Sequence, residues 1–338
     1  MPRIPSRAIW LVAAFAAMLT GCGGDGDSPA VPQVETIGPL FLSDGDTGAI
    51  AAFPTLTTGS GLAFADHVVA SFSAVPSDPP FPAMEPLAYD AVHDLLYVGG
   101  NQNRMMAVGV FSGASSLASG ASPEHVMSFV ADAELNELSI DPATDTLTMA
   151  GPAGEPVGPE VVQFAAVANA SAASGVIVAT PGVQVQAWPF EASVALDPGR
   201  DVLYATRPYT SDGSVESPGV AVYEQASSGL AAPARTLLSA VTPACVSVDT
   251  ARDILYVADP AAGLWIVQHA STATPVVVGP LQMTDATLLA SDAANDRLYV
   301  VAAQNLYVLA HASGLTSAAI VPAPTVTNSG PISGIAFR

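Results

Sequence analysis

One twelve-residue pattern returns five times along the chain: LAYDAVHDLLYV (87–98), LSIDPATDTLTM (138–149), VALDPGRDVLYA (194–205), VSVDTARDILYV (246–257) and LASDAANDRLYV (289–300). Each copy is two runs of alternating apolar residues around a D-x-x-x-D core. Alternation at period two predicts half-buried strands. Aspartate accepts hydrogen bonds from the backbone just ahead of it, so the core predicts a tight hairpin, and the ten aspartates read as turn formers. A third run follows each hairpin: VGVF (108–111), VVQF (161–164), VAVY (220–223), LWIV (264–267) and LYVL (306–309). Turns of small residues come next, such as HAS at 269–271 and 311–313. More variable apolar runs, as in HVMSFV (125–130) and PVVVG (275–279), close the units.

Four antiparallel strands per unit of roughly fifty residues predict the blades of an all-β propeller. The two ends of the chain complete the pattern. LFLSD (40–44) reads as a second strand without a first, Ile50–Phe53 as its third and HVVASF (67–72) as its fourth. ISGIAF (332–337) reads as a first strand without a second. Second strands at Leu40, Leu96, Leu147, Leu203, Leu255 and Leu298 predict six blades. The C-terminal strand pairs with the N-terminal blade to close the ring and hide the sheet edges at the junction. The LYVAD-type strands and short S-G-L turns resemble the NHL, YVTN and lactonase-like propeller families. The resemblance covers residues 40–338 and rests on framework positions. The Gly-His and Trp-Asp dipeptides of WD40 blades are absent.

Ahead of the repeats stands a processing signal. Arg3 and Arg7 precede a twelve-residue apolar run, AIWLVAAFAAML (8–19), too short to span a bilayer as a stable helix. Leu19-Thr20-Gly21-Cys22 follows and resembles the lipobox of bacterial lipoproteins. That resemblance implies cleavage before Cys22 and lipidation of its sulfur and amine. Gly23 after the cysteine implies the outer membrane, facing the periplasm or the surface. The expected division is therefore a signal peptide at 1–21, the lipidated cysteine and a Gly/Asp/Pro-rich tether at 22–38, and the propeller at 39–338.

The chain carries nine arginines, no lysine and a net charge of −21. Loss of Arg3 and Arg7 with the signal leaves the mature chain at −23. Such a surface repels nucleic acid, whose binding needs clustered cations. The missing lysine excludes a P-loop, a Schiff-base lysine and an S-x-x-K nucleophile. There is no HExxH, CxxC or G-x-S-x-G motif. Of two cysteines, Cys245 sits in an apolar strand and reads as a small core residue. The histidines fall at repeated positions, His67 with His125 and His269 with His311, which marks scaffold. His93 occupies the hairpin slot filled elsewhere by Thr144 or Arg200.

Two features remain as candidate sites. The loops leading into first strands carry Glu85, Glu137, Glu191, Asp285 and Asn328, one per blade in five blades. Oxygen ligands converging on an axis suit Ca²⁺ or Mg²⁺; otherwise these are solvated rim residues. Resemblance to gluconolactonase- and paraoxonase-type propellers implies calcium held in such a channel. The second-to-third-strand loops are short at 43–48, 258–263 and 301–304, but long at 151–160 and 207–219. The long pair predicts a one-sided wall, with Trp188, Phe190, Arg207 and Tyr209 as a recognition patch; Trp188 equally suits a plug between blades. Asp44-Gly45-Asp46 faintly echoes a calcium loop. These features point to a monomeric, membrane-anchored binding or scaffold protein with a protein or glycan partner. The alternative is a divalent-metal-dependent, lactonase-like hydrolase at the channel mouth.

Overall fold

A computed structural model describes residues 35–72, 86–102, 105–129, 137–141, 145–151, 160–165, 175–176, 193–206, 218–226 and 233–337. Each predicted hairpin is present. Leu87–Asp90 pairs with Leu95–Gln102, Glu137–Asp141 with Thr146–Gly151, Val194–Asp197 with Val202–Thr206, Cys245–Asp249 with Ile254–Asp259, and Ala286–Asp292 with Arg297–Ala302, all antiparallel. The third strands Met105–Ser112, Glu160–Ala165, Val220–Glu224, Gly263–Gln268 and Asn305–Ala310 extend the sheets outward.

Among the described residues, five sheets carry four or five strands and one carries three. Six full blades were expected from the sequence; among the described residues five are complete, and the sheet of Glu137–Asp141, Thr146–Gly151 and Glu160–Ala165 has three strands. Ile332–Phe337 pairs antiparallel with Leu40–Asp44, in the register Leu40↔Phe337 to Asp44↔Ile332. It is thus the first strand of the sheet that Ala49–Phe53 and Val68–Ser71 complete.

Among the described residues, neighbouring sheets pack face to face. Phe41 and Ile50 pack with Leu87, Leu96 and Val98 of the next sheet. Leu40 and Leu42, on the opposite face, pack with Tyr299, Val301 and Leu306. Tyr204 and Val222 meet Val246 and Leu255, while Tyr256 and Ile266 meet Leu289 and Val300. Alternating side chains of one strand therefore serve two different cores, which is why strand runs such as Ile254–Asp259 are buried throughout.

The outer edges are covered in one direction. Leu62–Ala63, between the third and fourth strands of the first sheet, pairs parallel with Val326–Thr327 of the last. Ala121, at the equivalent place in the second sheet, bridges Ala70 of the first. Gly175–Val176 pairs parallel with His125–Phe129 of the second. Each connector laps onto the outer strand of the sheet before it and occupies an edge that would otherwise be open.

The folded body starts earlier than the sequence suggests. Thr36–Ile37 pairs with Leu56–Thr57, Ile37 is buried, and Glu35 ion-pairs with Arg297 at 2.8 Å. Glu35–Ile37, assigned above to the tether, belongs to the body.

Candidate functional site

The D-x-x-x-D hairpins build a repeated polar structure at one end of the sheets. The first aspartate is buried and does what the sequence predicts. Oδ1 of Asp90 accepts the backbone N–H of Val92 and His93, and Oδ1 of Asp197, Asp249 and Asp292 accepts that of Arg200, Arg252 and Asn295. Its second oxygen takes the side chain at the fourth position: His93 Nδ1 at 2.6 Å, Arg200 Nη1 at 2.7 Å, Arg252 Nη1 at 2.8 Å and Asn295 Nδ2 at 2.8 Å.

The second aspartate acts at longer range. Asp94, Asp145, Asp201, Asp253 and Asp296 all adopt left-handed backbone, with φ between 52° and 57°, a conformation that aspartate tolerates better than most residues. The carboxylates of Asp94, Asp253 and Asp296 each accept both the backbone N–H and the hydroxyl of one serine, Ser115, Ser271 and Ser313, in the turn after the third strand. The hairpin and the outer turn of a sheet are thereby locked together. These hydrogen bonds, with that from Tyr89, hold the Asp94 carboxyl below its ordinary range despite the opposing effect of burial.

The fourth-position arginines also reach the next sheet. Arg200 Nη1 donates to the Thr250 carbonyl at 2.6 Å and its Nε lies 3.9 Å from Asp253 Oδ1. Arg252 repeats this one sheet on, with the Ala293 carbonyl at 2.7 Å and Asp296 Oδ1 at 4.0 Å. Each guanidinium clasps its own buried aspartate to the neighbouring hairpin. Arg297 plays a related part, donating to Glu35 and to the Thr36 carbonyl. Sequence reasoning took the aspartates as local turn formers and missed the clasp; the signal was Arg at the same slot in two consecutive repeats.

Between the second and third sheets the slot holds His93. One ligand-capable atom each from Asp90, His93 and Asp145 lies within 4.8 Å of the others. Asp90 is fully buried, Asp145 half-buried and His93 exposed. The hydrogen bond to Asp90, then its charge, then that of Asp145 raise the His93 pKa above its ordinary value. Beneath lies Tyr97, buried, its hydroxyl without a hydrogen-bond partner. Burial first, then the charges of Asp90 and Asp145, push that phenol far above its usual range. Tyr204 and Tyr256 sit in the same way under the two arginine clasps.

At the opposite end of the sheets, the channel-mouth candidates have separate engagements. Asp285 is exposed; its backbone N–H donates to the Pro260 carbonyl and its carbonyl accepts from Ala303. Asn328 Nδ2 donates to Asp44 Oδ2 at 2.7 Å, while Asp44 Oδ1 accepts from the backbone N–H groups of Asp46 and Thr47 and from the Thr47 hydroxyl. The Asp44 carboxylate is thus saturated by a turn and a seam contact, which accounts for the calcium-loop echo as local structure. Glu137 opens a strand of the third sheet, with its side chain outside the described part. Glu85 and Glu191, like Trp188, Phe190, Arg207 and Tyr209 of the expected patch, lie outside the described residues, as does Cys22. Cys245 is a buried thiol, its sulfur accepting from the Leu289 backbone N–H. His269 and His311 hold the left-handed turn position that Gly113 fills elsewhere, the scaffold role expected from their repetition.

The stacked antiparallel sheets define the chain as an all-β β-propeller. No protein-family model matches it, and comparison with curated proteins finds no relative. A solved structure agrees with the fold. A chain of a nidogen/laminin complex superposes with a TM-score of 0.51 at 15% identity, covering 89% of this chain and 98% of that one. The PQQ-bound aldose sugar dehydrogenase of Streptomyces coelicolor gives 0.49 at 11% identity, over 83% and 94% of the two chains. A protein of unknown function from Desulfotomaculum acetoxidans gives 0.46 at 12%, over 80% and 74%. At 15% identity the likeness to the nidogen/laminin chain speaks for the fold alone, since propellers host unrelated functions.

Proposed function

We propose that this chain is a six-bladed propeller, closed by Ile332–Phe337, that works as a binding or scaffold module tethered by a lipid on Cys22. Six blades count the three-stranded sheet as the third, and the pairing of Leu40 with Phe337 supports the closure. The observation that carries the functional reading is the clasp series. Among the described residues, Arg252 holds sheet to sheet and Asp253 holds hairpin to turn. What this leaves free to recognise a partner is the pair of long loops at 151–160 and 207–219, on a frame fixed by its own polar residues. The lipobox sequence supports an outer-membrane address, facing the periplasm or the surface.

The test joins loop and anchor. Replacing 207–219 by a connection as short as 258–263 leaves the melting temperature close to wild type and abolishes the protein's cross-links to its partner in intact cells. Cys22→Ser moves the protein from the membrane to the soluble fraction. A melting temperature raised by Ca²⁺, with the rise lost in Glu85→Gln and Glu191→Gln and accompanied by lactone hydrolysis, replaces this reading with the hydrolase.

A further inference from the structure

We propose that Asp90, His93 and Asp145 form a binding site for a first-row divalent metal ion of the zinc class, set between the second and third sheets. The repeat frames the inference. At two equivalent junctions a guanidinium sits between the buried aspartate of one hairpin and the left-handed aspartate of the next. A guanidinium supplies a fixed positive charge and has no lone pair to give a metal; an imidazole supplies a lone pair. The substitution of His93 for arginine keeps both carboxylates and exchanges the built-in cation for a ligand. The three ligand atoms already lie within 4.8 Å of one another.

The second observation is Tyr97. Its side chain is 0% exposed and its hydroxyl has no partner, yet the charges of Asp90 and Asp145 both act on it. Tyr204 and Tyr256 carry the same orphaned hydroxyl under the arginines; where His93 replaces the guanidinium, that of Tyr97 is available to a water completing the metal's shell, the outer partner that metal sites commonly carry. Two carboxylate oxygens and one imidazole nitrogen suit Zn²⁺, Co²⁺ or Ni²⁺; Ca²⁺ and Mg²⁺ take all-oxygen shells. Bond lengths of about 2.0–2.2 Å to Zn²⁺ ask His93 to part from Asp90, which its exposed position allows.

The experiment is a Co²⁺ titration of the purified protein followed by visible absorption, with Zn²⁺ displacement followed by calorimetry. One-to-one uptake of Co²⁺, its displacement by Zn²⁺ and a melting temperature raised by Zn²⁺ are expected. His93→Arg, which copies the neighbouring junctions, folds with at least the metal-free stability of wild type and loses the uptake. Tyr97→Phe keeps the stoichiometry and weakens affinity by about tenfold. Absence of one-to-one uptake by wild type, or unchanged uptake by His93→Arg, overturns the site. The Ca²⁺ and loop experiments above touch none of these residues, so the two readings fail separately.

Discussion

At the scale of the residue, the fourth position of the hairpin separates two kinds of contact. Asp249 is almost fully buried, and Arg252 satisfies it from a partly exposed position. Burying a carboxylate is tolerable when it is paired and hydrogen-bonded. Arg252→Ala strips the charge partner and the link to the Ala293 carbonyl together, so it lowers the midpoint of chemical denaturation. Arg200→Ala, with the same contacts one sheet earlier, lowers the midpoint likewise. Arg235 offers a contrast: one guanidinium nitrogen pairs with Glu224 and another donates to the Ala270 carbonyl, while its buried Nε has no partner.

At the scale of the element, the strands were legible because a half-buried strand writes its two faces into alternate residues. The hairpins were legible because Asp90, Asp197, Asp249 and Asp292 bond backbone two or three residues ahead. The partners of Asp253 and Asp296 were not, because Ser271 and Ser313 lie 18 and 17 residues on and are brought back only by the sheet. The partner of Asn328 was hidden for the same reason: Asn328 and Asp44 meet across 284 residues of sequence. Gly219 and Gly263 also passed unnoticed. Both open third strands with φ of 109° and 115°, and a Cβ there would stand 2.4 Å and 2.2 Å from the carbonyls of Leu237 and Leu281. Gly263→Ala therefore forces the outer strand away and destabilises by more than about 1 kcal/mol, measurable as a lower denaturation midpoint. Removal of 332–338 takes the inner strand from the seam sheet, and cooperative melting is lost; an unchanged melting profile in the truncated protein counts against a closed ring.

At the scale of the whole molecule, Tyr97, Tyr204, Tyr256 and Tyr299 form a ring of phenols at matching positions, each at most 1% exposed. Burial is the largest cause that raises their pKa values, and for Tyr299 the charge of Asp292 adds to it while Arg297 opposes. A raised folded pKa contributes stability that is complete below the unfolded value of 10.0 and is lost as the pH climbs through the folded one. Stability therefore falls steeply above pH 10. In a spectrophotometric titration these four phenolates appear together with unfolding, not before it; their ionisation in the native state would show that water reaches the inter-sheet layers.

The same scale gives the molecule a direction. Glu35 enters the body beside Arg297, which directly follows the hairpin aspartate Asp296, and Leu40 meets Phe337 at the end of the sheets where other blades turn through D-x-x-x-D. The chain thus joins the propeller on its hairpin side, the side of the clasps. The lipid proposed at Cys22 would lie no farther from that side than the dozen residues between Cys22 and Glu35 permit. Under the proposed anchor the clasped side faces the bilayer and the opposite rim, with Asp285 and Asn328, faces away from it. The polarity of the disc is set by which end of one strand the chain happens to enter.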